Sequence, residues 1–408
     1  MNRRAFLGGA AFPFVARNTV LGANDRIHVG FVGVGRRASY LIKHEDFGDG
    51  RITAVADCSP LALENAVGIL PDGKNWAKFS DYREMFAKQK LDAVFVETTT
   101  HARARIAMQA MEAGLDVYAE KPLTLTVQEG QALVRSARHY KRVLQVGTQQ
   151  RSMPVNMYAS KLVADGKLGK IAKVIICNFL APATWTPQPA EAMPEGLNWD
   201  EWCNQTELRP YHSQLHRNWP KWRDYDGGGQ SWGVSGWGTH SLDQVQAALG
   251  TSLTGPEEIV LSGPNGEVEL RYANGTVVSL EQDIIKDHQQ LGGIFIGTKG
   301  KMQILRGDFL CEDRPEFKKE SPDVIKEGPG ENTPHIRNFL QCVRSRKRPN
   351  ADVEIAHRST TVCHLVNIAR ELGRTLAWDP KAERFPKDEE ANGLLERPRR
   401  AGYELPKV

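Results

Sequence analysis

The stretch that decides the fold is I-H-V-G-F-V-G-V-G-R-R-A, Ile27 to Ala38. Its first six residues form an apolar run with the length of a buried strand, and the rest fits the pattern G-x-G-x-x-[G/A]. In this pattern Gly33 permits a tight turn, and Gly35 lets the backbone approach a pyrophosphate. Ala38 lets the following helix pack closely on the strand. The stretch therefore predicts a strand–turn–helix unit that binds a dinucleotide at the helix N-terminus.

An acid lies where the ribose of a bound dinucleotide requires one. A second strand-like run, Ile52–Ala56, ends at Asp57, which lies 24 residues after Gly33. A carboxylate at this place binds the adenosine ribose hydroxyls and disfavours a 2′-phosphate, so it favours NAD over NADP. Arg36 and Arg37 keep NADP open. The alternative is a glycine loop that only packs a helix in an unrelated α/β protein.

Strand and helix patterns alternate up to about residue 150. Strand-like runs cover Asp92–Glu97, Leu115–Ala119 and Val143–Gly147, and a capping box at Thr126–Glu129 opens a helix. This order predicts a parallel sheet whose ligands bind beyond the carboxyl ends of the strands. The candidate cofactor-binding residues at these ends, beside those of the glycine turn and Asp57, are Thr98, Thr99, His101, Glu120, Lys121 and Gln149.

The second half of the chain has the pattern of a different sheet. A long strand is predicted over Lys170–Leu180. Shorter β-rich segments follow at Ile259–Ser262, Glu267–Tyr272, Val277–Gln282, Ile294–Gly297 and Lys301–Leu305. The pairs Asn265-Gly266 and Asn274-Gly275 fit hairpin turns between them. This order predicts a mainly antiparallel sheet, and helices are predicted over Thr333–Arg344 and Val353–Leu372.

The chain is too long for one ordinary core. Its 408 residues predict two domains, which we place at 25–150 and 151–408 after an N-terminal segment 1–24. The net charge of +4 includes no long block of like charge, which argues against a nucleic-acid partner. The six cysteines are scattered without a C-x-x-C pair, so we expect buried free thiols rather than disulfides or zinc ligands.

The N-terminal segment has the pattern of an export signal. Arg3 and Arg4 precede the apolar run Ala5–Val15, which is too short to span a bilayer, and Arg17 and small residues follow. The pattern resembles a twin-arginine signal, which predicts a periplasmic or otherwise exported protein. The alternative is an ordinary basic N-terminus. No later apolar run has the length of a transmembrane helix, so no membrane insertion is expected after signal removal.

Five features together resemble the Gfo/Idh/MocA oxidoreductase family, which includes glucose–fructose oxidoreductase and inositol dehydrogenase. They are the turn Gly33–Ala38, Asp57, the loop Thr98–His101, the tripeptide Glu120-Lys121-Pro122, and Gly147–Arg151. The resemblance covers nearly the whole chain after the signal. It implies an α/β protein with an N-terminal Rossmann domain and a C-terminal α+β domain that has one large open sheet. In the family one face of that sheet covers the active site and the other commonly makes an oligomer, so we expect a homodimer or homotetramer.

The segment Leu197–Arg223, which we call the aromatic loop, has four tryptophans among histidines and arginines. Aromatic faces beside polar groups suit a sugar ring, which has apolar C–H faces and hydroxyls. The candidate substrate-binding residues are Arg151, Tyr211, His212, Trp219, Arg223 and Asp243. The alternative is that the aromatic residues only fix a long loop, which we prefer for Trp199 and Trp202. His212 and His216 could share a metal, but the absence of a nearby acid argues against a metal site.

Two residues are predicted to carry the chemistry. Lys121, at a strand end beside a nicotinamide, can hydrogen-bond a reacting hydroxyl and lower its pKa; an ion pair without a catalytic role is the alternative. Family dehydrogenases have D-x-x-x-H ending at the position of His240, but here Gly236 stands four residues before it. A neutral histidine at a helix N-terminus can act as a base without the aspartate; the alternative is a histidine that only starts a helix. Tyr211, His212 and Lys121 are the candidate partners of His240, and Tyr211 is the third candidate catalytic residue.

The predicted function is hydride transfer between a carbohydrate or polyol C–OH and a nicotinamide that stays tightly bound. An exported enzyme has no pool of free NAD, so its cofactor must return to its starting state in each turnover. The first alternative is an NAD-dependent glycoside hydrolase or lyase that oxidises transiently, eliminates, adds and reduces, as do NAD-dependent glycosidases related to the family. The second is a non-catalytic sugar-binding protein that retains NAD, for which Gly236 is the main support.

Overall fold

The computed structural model describes residues 26–226, 233–282 and 291–408. The predicted signal at 1–24 and the part of the glycine-rich stretch at 227–232 lie outside the described residues. The described residues form two β-sheets, one of six strands and one of eight. None of their helices combines the length and the hydropathy that a membrane span needs.

The first sheet is parallel throughout, with a helix after most of its strands. Its strands are β1 Ile27–Val32, β2 Gly50–Ala56, β3 Ala77–Phe79, β4 Ala93–Val96, β5 Asp116–Ala119 and β6 Leu144–Val146. The helices are α1 Arg36–His44, α2 Pro60–Val67, α3 Tyr82–Lys88, α4 Thr100–Glu112 and α5 Val127–His139. The strand order β3-β2-β1-β4-β5-β6 reverses its direction between β1 and β4. Ligands of such sheets bind at this reversal, and the predicted Rossmann architecture is confirmed.

The second sheet is mixed. Its strands are β7 Ile171–Cys177, β8 Glu258–Leu261, β9 Val268–Arg271, β10 Val277–Gln282, β11 Gly293–Gly297, β12 Gly300–Leu305, β13 Asp308–Leu310 and β14 Leu376–Ala377. In the order β13-β12-β11-β7-β10-β9-β8-β14, only β7 and β10 are parallel neighbours, so the sheet is mainly antiparallel as predicted. Gly266 and Gly275 have φ values of +73° and +83° in the two predicted hairpin turns, where glycine is favoured.

Helices of the second half pack on both sheets. They are α6 Pro154–Ala164, α7 Trp199–Cys203, α8 Ser213–Arg217, α9 Trp237–Ala248, α10 Pro315–Lys319, α11 Thr333–Ser345, α12 Val353–Leu372 and α13 Glu389–Gly393. Phe339 of α11 packs edge-on against Phe95 of β4, with ring centroids 5.6 Å apart, while α12 packs on both α5 and α9. Helix α11 therefore packs on the first sheet, and α12 connects α5 with α9.

The C-terminal tail ties the aromatic loop to the first sheet. Arg397 pairs with the fully buried Glu129 of α5 at 2.9 Å and donates to the carbonyl of His101 at 2.7 Å. Arg400 pairs with Asp200, within the loop, at 2.6 Å. Because Glu129 is buried, removing its partner would leave an uncompensated charge, so the Glu129 contact is the strongest constraint in this set.

Candidate active site at the carboxyl edge of the parallel sheet

The turn between β1 and α1 leaves room for an anionic group. Gly33 has φ +80°, which favours glycine, and a Cβ there would lie 2.9 Å from the Cα of Thr98. An added Cβ at Gly35 would meet no described atom within 4 Å, and no described side chain caps the helix that starts at Arg36. The first amides of α1 are therefore open to an anion, which fits the pyrophosphate of a dinucleotide.

A cavity of ≈ 820 Å³ extends from this turn. Of the predicted cofactor-binding residues, its wall includes Gly33, Gly35, Arg36, Arg37, Asp57, Thr98 and Thr99, while Ala38 is buried beneath the turn. The aromatic loop contributes to the same wall through Trp202 and the run 216–220. Trp219, predicted to bind substrate, therefore lines the nucleotide cavity, and the loop covers it. The volume is typical of small-molecule sites.

Asp57 lies against this cavity just after β2. Its carboxylate accepts hydrogen bonds from the amides of Val34 and Ser59, both at 2.8 Å. Burial raises the pKa of Asp57, and these two bonds counteract that effect in part. The bonds hold the carboxylate beside the glycine turn, in the place from which a ribose hydroxyl would be bound.

An ion pair between Arg37 and Glu120 connects the turn to the end of β5. The Nε of Arg37 donates to Glu120 at 2.8 Å, and the other carboxylate oxygen accepts the amide of Lys121 at 3.0 Å. Burial disfavours the charged form of Glu120, but Arg37 and Lys121 outweigh burial and lower its pKa. Gln149 contacts Asn332 at 2.7 Å, and Asn332 accepts from Arg37 at 3.2 Å. Gln149 and Arg37 thus share Asn332 as a partner, and Gln149 is not part of the described cavity wall.

Lys121 follows Glu120 at the same edge of the sheet. Its ammonium donates to the carbonyl of Gly236 at 3.1 Å and lies 5.0 Å from the ring centroid of Trp237. Burial lowers the pKa of Lys121 to about 8, against the raising effect of Glu120 and Asp226. A lysine with this pKa exists in both protonation states near neutral pH, which is what acid–base chemistry at a hydroxyl requires.

His240 lies in the first turn of α9, with its ring 5.5 Å from that of Trp237. Burial lowers the pKa of His240 well below its ordinary value, and the positive charges of Lys121 and Arg306 add to the effect, so the imidazole is neutral. Its Nδ1 is buried without a hydrogen-bond partner among the described residues. Of the three predicted partners of His240, Lys121 is the one whose charge acts on it.

Asp226 is a buried acid beside Lys121 that the family pattern does not predict. Its side chain accepts a hydrogen bond from the hydroxyl of Thr100 at 2.6 Å. Burial raises the pKa of Asp226 to about 6, and the Thr100 bond and the charge of Lys121 oppose that rise. The signal that could have indicated it is its place directly before the glycine-rich stretch, 14 residues ahead of His240. A carboxyl thus lies beside Lys121 although Gly236 occupies the aspartate position of the family.

Arg306, which follows β12, is a second residue that sequence reasoning missed. It is buried, pairs with Glu331 at 2.9 Å and lies 5.9 Å from the ring centroid of Trp237. Its Nε and Nη1 have no hydrogen-bond partner within the described ranges. Unpaired donors beside Trp237 and His240 are available to a bound substrate. No motif marks Arg306, because it reaches the site from the second sheet.

Two predicted site residues belong to the packing of the aromatic loop instead. His101 is buried in α4, where its Nε2 contacts the carbonyl of Trp202 at 2.8 Å, and burial lowers the pKa of His101 to about 3. Tyr211 packs edge-on against Trp199 at 5.0 Å, and its hydroxyl lies 3.5 Å from Nδ1 of His216. Neither is part of the described cavity wall, and the cofactor-binding role of His101 and the catalytic role of Tyr211 stay predictions.

Four predicted substrate residues are held by partners within the protein. Arg151 and Asp243 pair with each other at 2.8 Å, with side chains 10% and 1% exposed. Arg223 pairs with a glutamate of α12, and His212 caps α8 and lies 3.2 Å from Glu191. None of the four is part of the described cavity wall, and their role in substrate binding stays a prediction.

All six cysteines are free thiols, and all but the half-buried Cys58 are buried, as predicted. The described part of the chain contains no group of three or more His, Cys, Asp and Glu side chains that could hold a metal ion. The acid nearest His212 is Glu191, which the sequence does not place beside it.

Curated relatives match parts of the chain. A glycosyl hydrolase family 109 protein of Shewanella pealeana is 30% identical over 125 residues, covering 29% of this chain and 27% of the relative. Inositol 2-dehydrogenase of Rhizobium meliloti is 28% identical over 151 residues, covering 37% and 44%. The chain thus matches less than half the length of these relatives.

A solved structure with the same fold is myo-inositol 2-dehydrogenase from Lactobacillus plantarum, with a TM-score of 0.60 and 15% identity over 86% of this chain and 99% of that one. Two sequence models of one family match nearly the whole described chain. The first is described as "Oxidoreductase family, NAD-binding Rossmann fold" and matches residues 27–148, and the second, "Oxidoreductase family, C-terminal alpha/beta domain", matches residues 153–405. The chain therefore belongs to the Gfo/Idh/MocA oxidoreductase family.

Proposed function

We propose that the protein is a nicotinamide-dependent oxidoreductase that transfers hydride between a carbohydrate or polyol C–OH and a cofactor held in the nucleotide cavity. The observation that carries the proposal is Lys121, a buried ammonium with a pKa of about 8 beside the neutral His240 and the acid Asp226. Burial moves the pKa values of Lys121 and Asp226 toward neutrality, and buried groups with such shifted pKa values are typical of acid–base sites. The inositol dehydrogenases among the relatives support the substrate class.

The residues of the chain would move the proton and position the substrate. In oxidation, neutral Lys121 accepts the proton of the substrate hydroxyl, and in reduction its ammonium returns it. The unpaired Nδ1 of His240 is available to a neighbouring substrate hydroxyl, and the negative charge of Asp226 raises the pKa of Lys121. A bound nicotinamide supplies the hydride acceptor or donor.

We further propose that the cofactor is NAD and that it stays bound between turnovers in an exported, homo-oligomeric enzyme. The carboxylate of Asp57 supports NAD over NADP, the aromatic loop over the cavity supports slow release, and Arg3 and Arg4 support export. Denaturing the purified protein should release about one NAD per chain. A supernatant without nucleotide would contradict tight retention, and one with NADP would contradict the preference.

Replacement of Lys121 tests the chemistry. In K121M we expect turnover of the best substrate from a panel of myo-inositol and common hexoses to fall by about 10²–10⁴-fold, because proton transfer at the hydroxyl is lost. NADH affinity should stay within about threefold, since the glycine turn is untouched. K88M, at a lysine that is 63% exposed, is the matched control and should behave as wild type. Undiminished turnover in K121M would refute the assignment.

The second candidate is a redox-neutral glycosidase on the same site. The family 109 relatives and the second titratable acid at the lysine, Asp226, favour it. A panel of aryl glycosides discriminates the two: release of a reducing sugar without net change in nicotinamide absorbance supports the glycosidase. Accumulation of reduced nicotinamide with free sugars, and no glycoside cleavage, supports the dehydrogenase.

A further inference from the structure

Glu97 lies directly after β4 and lines the nucleotide cavity, yet it takes no part in the chemistry proposed above. Its side chain is buried, with 9% of the residue exposed. Neither carboxyl oxygen has a hydrogen-bond partner among the residues the structure describes. A buried carboxyl left in this state costs free energy that a proton and a ligand contact can offset. We therefore expect a ligand bound in the cavity to provide a hydrogen-bond partner for the Glu97 carboxyl.

The surroundings of Glu97 favour its neutral form. The neighbouring Glu120 is paired with Arg37 at 2.8 Å, so this guanidinium already has a carboxylate partner. Burial, and then the negative charge of Glu120, raise the pKa of Glu97 well above its ordinary value despite the opposing charges of Arg37 and Arg103. A protonated carboxyl can donate a hydrogen bond, whereas a carboxylate only accepts.

The position of Glu97 indicates which half of a bound dinucleotide it would contact. The next residue, Thr98, lies 2.9 Å from the Cβ position of Gly33, in the turn that fits the pyrophosphate. On the other side, β4 pairs with β5, which leads to Glu120 and Lys121. Glu97 therefore lies between the pyrophosphate turn and the lysine, along the half of the dinucleotide that carries the nicotinamide.

We propose that Glu97 binds the nicotinamide half of the dinucleotide by donating a hydrogen bond from its carboxyl to an acceptor oxygen of the ribose or the adjoining phosphate. This inference rests on the proposed function for the presence of that cofactor. An ionised carboxylate at the same place would repel the pyrophosphate, whereas a protonated carboxyl is compatible with it and can donate a hydrogen bond.

Two substitutions in the full chain, freed of nucleotide, test whether Glu97 donates a hydrogen bond to the cofactor or only fills space. E97Q keeps the shape and a donor, and we expect its NADH affinity, followed by nicotinamide fluorescence, to stay within about threefold of wild type. E97A removes the donor, and we expect affinity to fall about tenfold or more. Wild-type affinity should decline at alkaline pH as Glu97 ionises, and that decline should be absent in E97Q.

Infrared spectroscopy measures the protonation state of the Glu97 carboxyl directly. Wild type should show a protonated carboxylic-acid carbonyl band that shifts when NADH binds and is missing in E97Q. E84Q is the matched control, because Glu84 is 52% exposed and its loss should leave both band and affinity unchanged.

The inference is overturned if E97A binds NADH as wild type does, or if E97Q is as weak as E97A. Where E97A does not fold, the pH profile and band of E97Q against wild type decide. Failure of wild type itself to bind either nicotinamide dinucleotide would overturn the proposed function along with it. Normal NADH binding in wild type, with no loss in E97A, overturns the Glu97 inference alone.

Discussion

The candidate site has two ends, the glycine turn (the turn end) and the surroundings of Lys121 (the lysine end), and they are built in opposite ways. The turn end, from Gly33 to Asp57, is a single strand–helix–strand unit held by backbone bonds such as that from the amide of Val34 to Asp57. The lysine end gathers Lys121 from the first sheet, His240 from α9 and further groups from distant parts of the chain. Local geometry suffices to bind a dinucleotide, whereas the acid–base chemistry depends on how the two halves of the molecule pack.

This difference has an electrostatic consequence. At the turn end, the carboxylate of Asp57 accepts hydrogen bonds from two neighbouring amides. At the lysine end, the charged groups are buried: Asp226 raises the pKa of Lys121 and Arg306 lowers it. The charges of Lys121 and Arg306 also lower the pKa of His240. Interactions between desolvated charges are strong, so the lysine end should be the more sensitive to removal of a single charge.

Among substitutions that leave Lys121 in place, the largest effect should come from Asp226→Asn. The amide can still accept the Thr100 hydrogen bond, so the fold is kept while the negative charge beside Lys121 is removed. We expect kcat for reduction at pH 8 to fall about 100-fold or more, because reduction needs the ammonium of Lys121 and Asp226 stabilises that ammonium. The lysine step in the pH profile should also move to lower pH, because the charge of Asp226 raises the pKa of Lys121. Steady-state kinetics across pH measure both.

Asp224→Asn is the matched control, because Asp224 lies two residues away with a side chain that is 42% exposed and paired with Arg209. It should leave the rate and the profile unchanged. Equal losses in the two variants would mean that Asp226 acts by supporting the loop rather than through Lys121.

A smaller effect is expected at the turn end from Gly33→Ala. The new Cβ would lie 2.9 Å from backbone atoms of Thr98 at a φ of +80°, so the turn must shift. Strain of about 1–3 kcal/mol should weaken NADH binding about 10- to 100-fold. Gly166→Ala shares a positive φ, +72°, but meets no described atom within 4 Å, and NADH affinity should be unaffected there. Titration of both variants, with melting temperatures, measures the contrast.

The same contrast explains what the sequence could predict. The turn end is contiguous, so spacing alone predicts Gly33, Gly35 and Asp57 as site residues, and strand periodicity predicts both sheets. Lys121 is predicted because it follows a strand of the same unit. Motif spacing does not predict which side chains of the two halves of the chain contact each other.

Asp226 and Arg306 therefore went unnoticed, although both act on the lysine. Conversely, Arg151 and Asp243 carry the right chemistry for a substrate but neutralise each other in a buried pair. A charged residue in a sequence does not reveal whether another residue of the same protein already satisfies it. The aromatic loop illustrates this further, since its histidines and tyrosine mostly serve its own packing.

The pH dependence of the rate should be intermediate in size. Oxidation needs neutral Lys121 as the proton acceptor, and burial lowers its pKa to about 8. The oxidation rate should therefore rise about tenfold per pH unit below that value and level off above it. Reduction needs the ammonium and should fall above the same pH. A flat profile for oxidation between pH 6 and 9 would show that Lys121 is not the proton acceptor.

The smallest effect should come from Arg223→Ala. Arg223 and its partner Glu371 have side chains 41% and 33% exposed, so the pair is screened by solvent and its loss should cost less than about 1 kcal/mol in unfolding free energy. Because Arg223 does not line the described cavity, substrate KM and NADH affinity should stay within about twofold of wild type. Trp219→Ala, in the same loop but on the cavity wall, should weaken NADH binding instead. A selective rise in substrate KM in the arginine variant would indicate that Arg223 contacts the substrate. The substrate site would then extend from Lys121 to the aromatic loop.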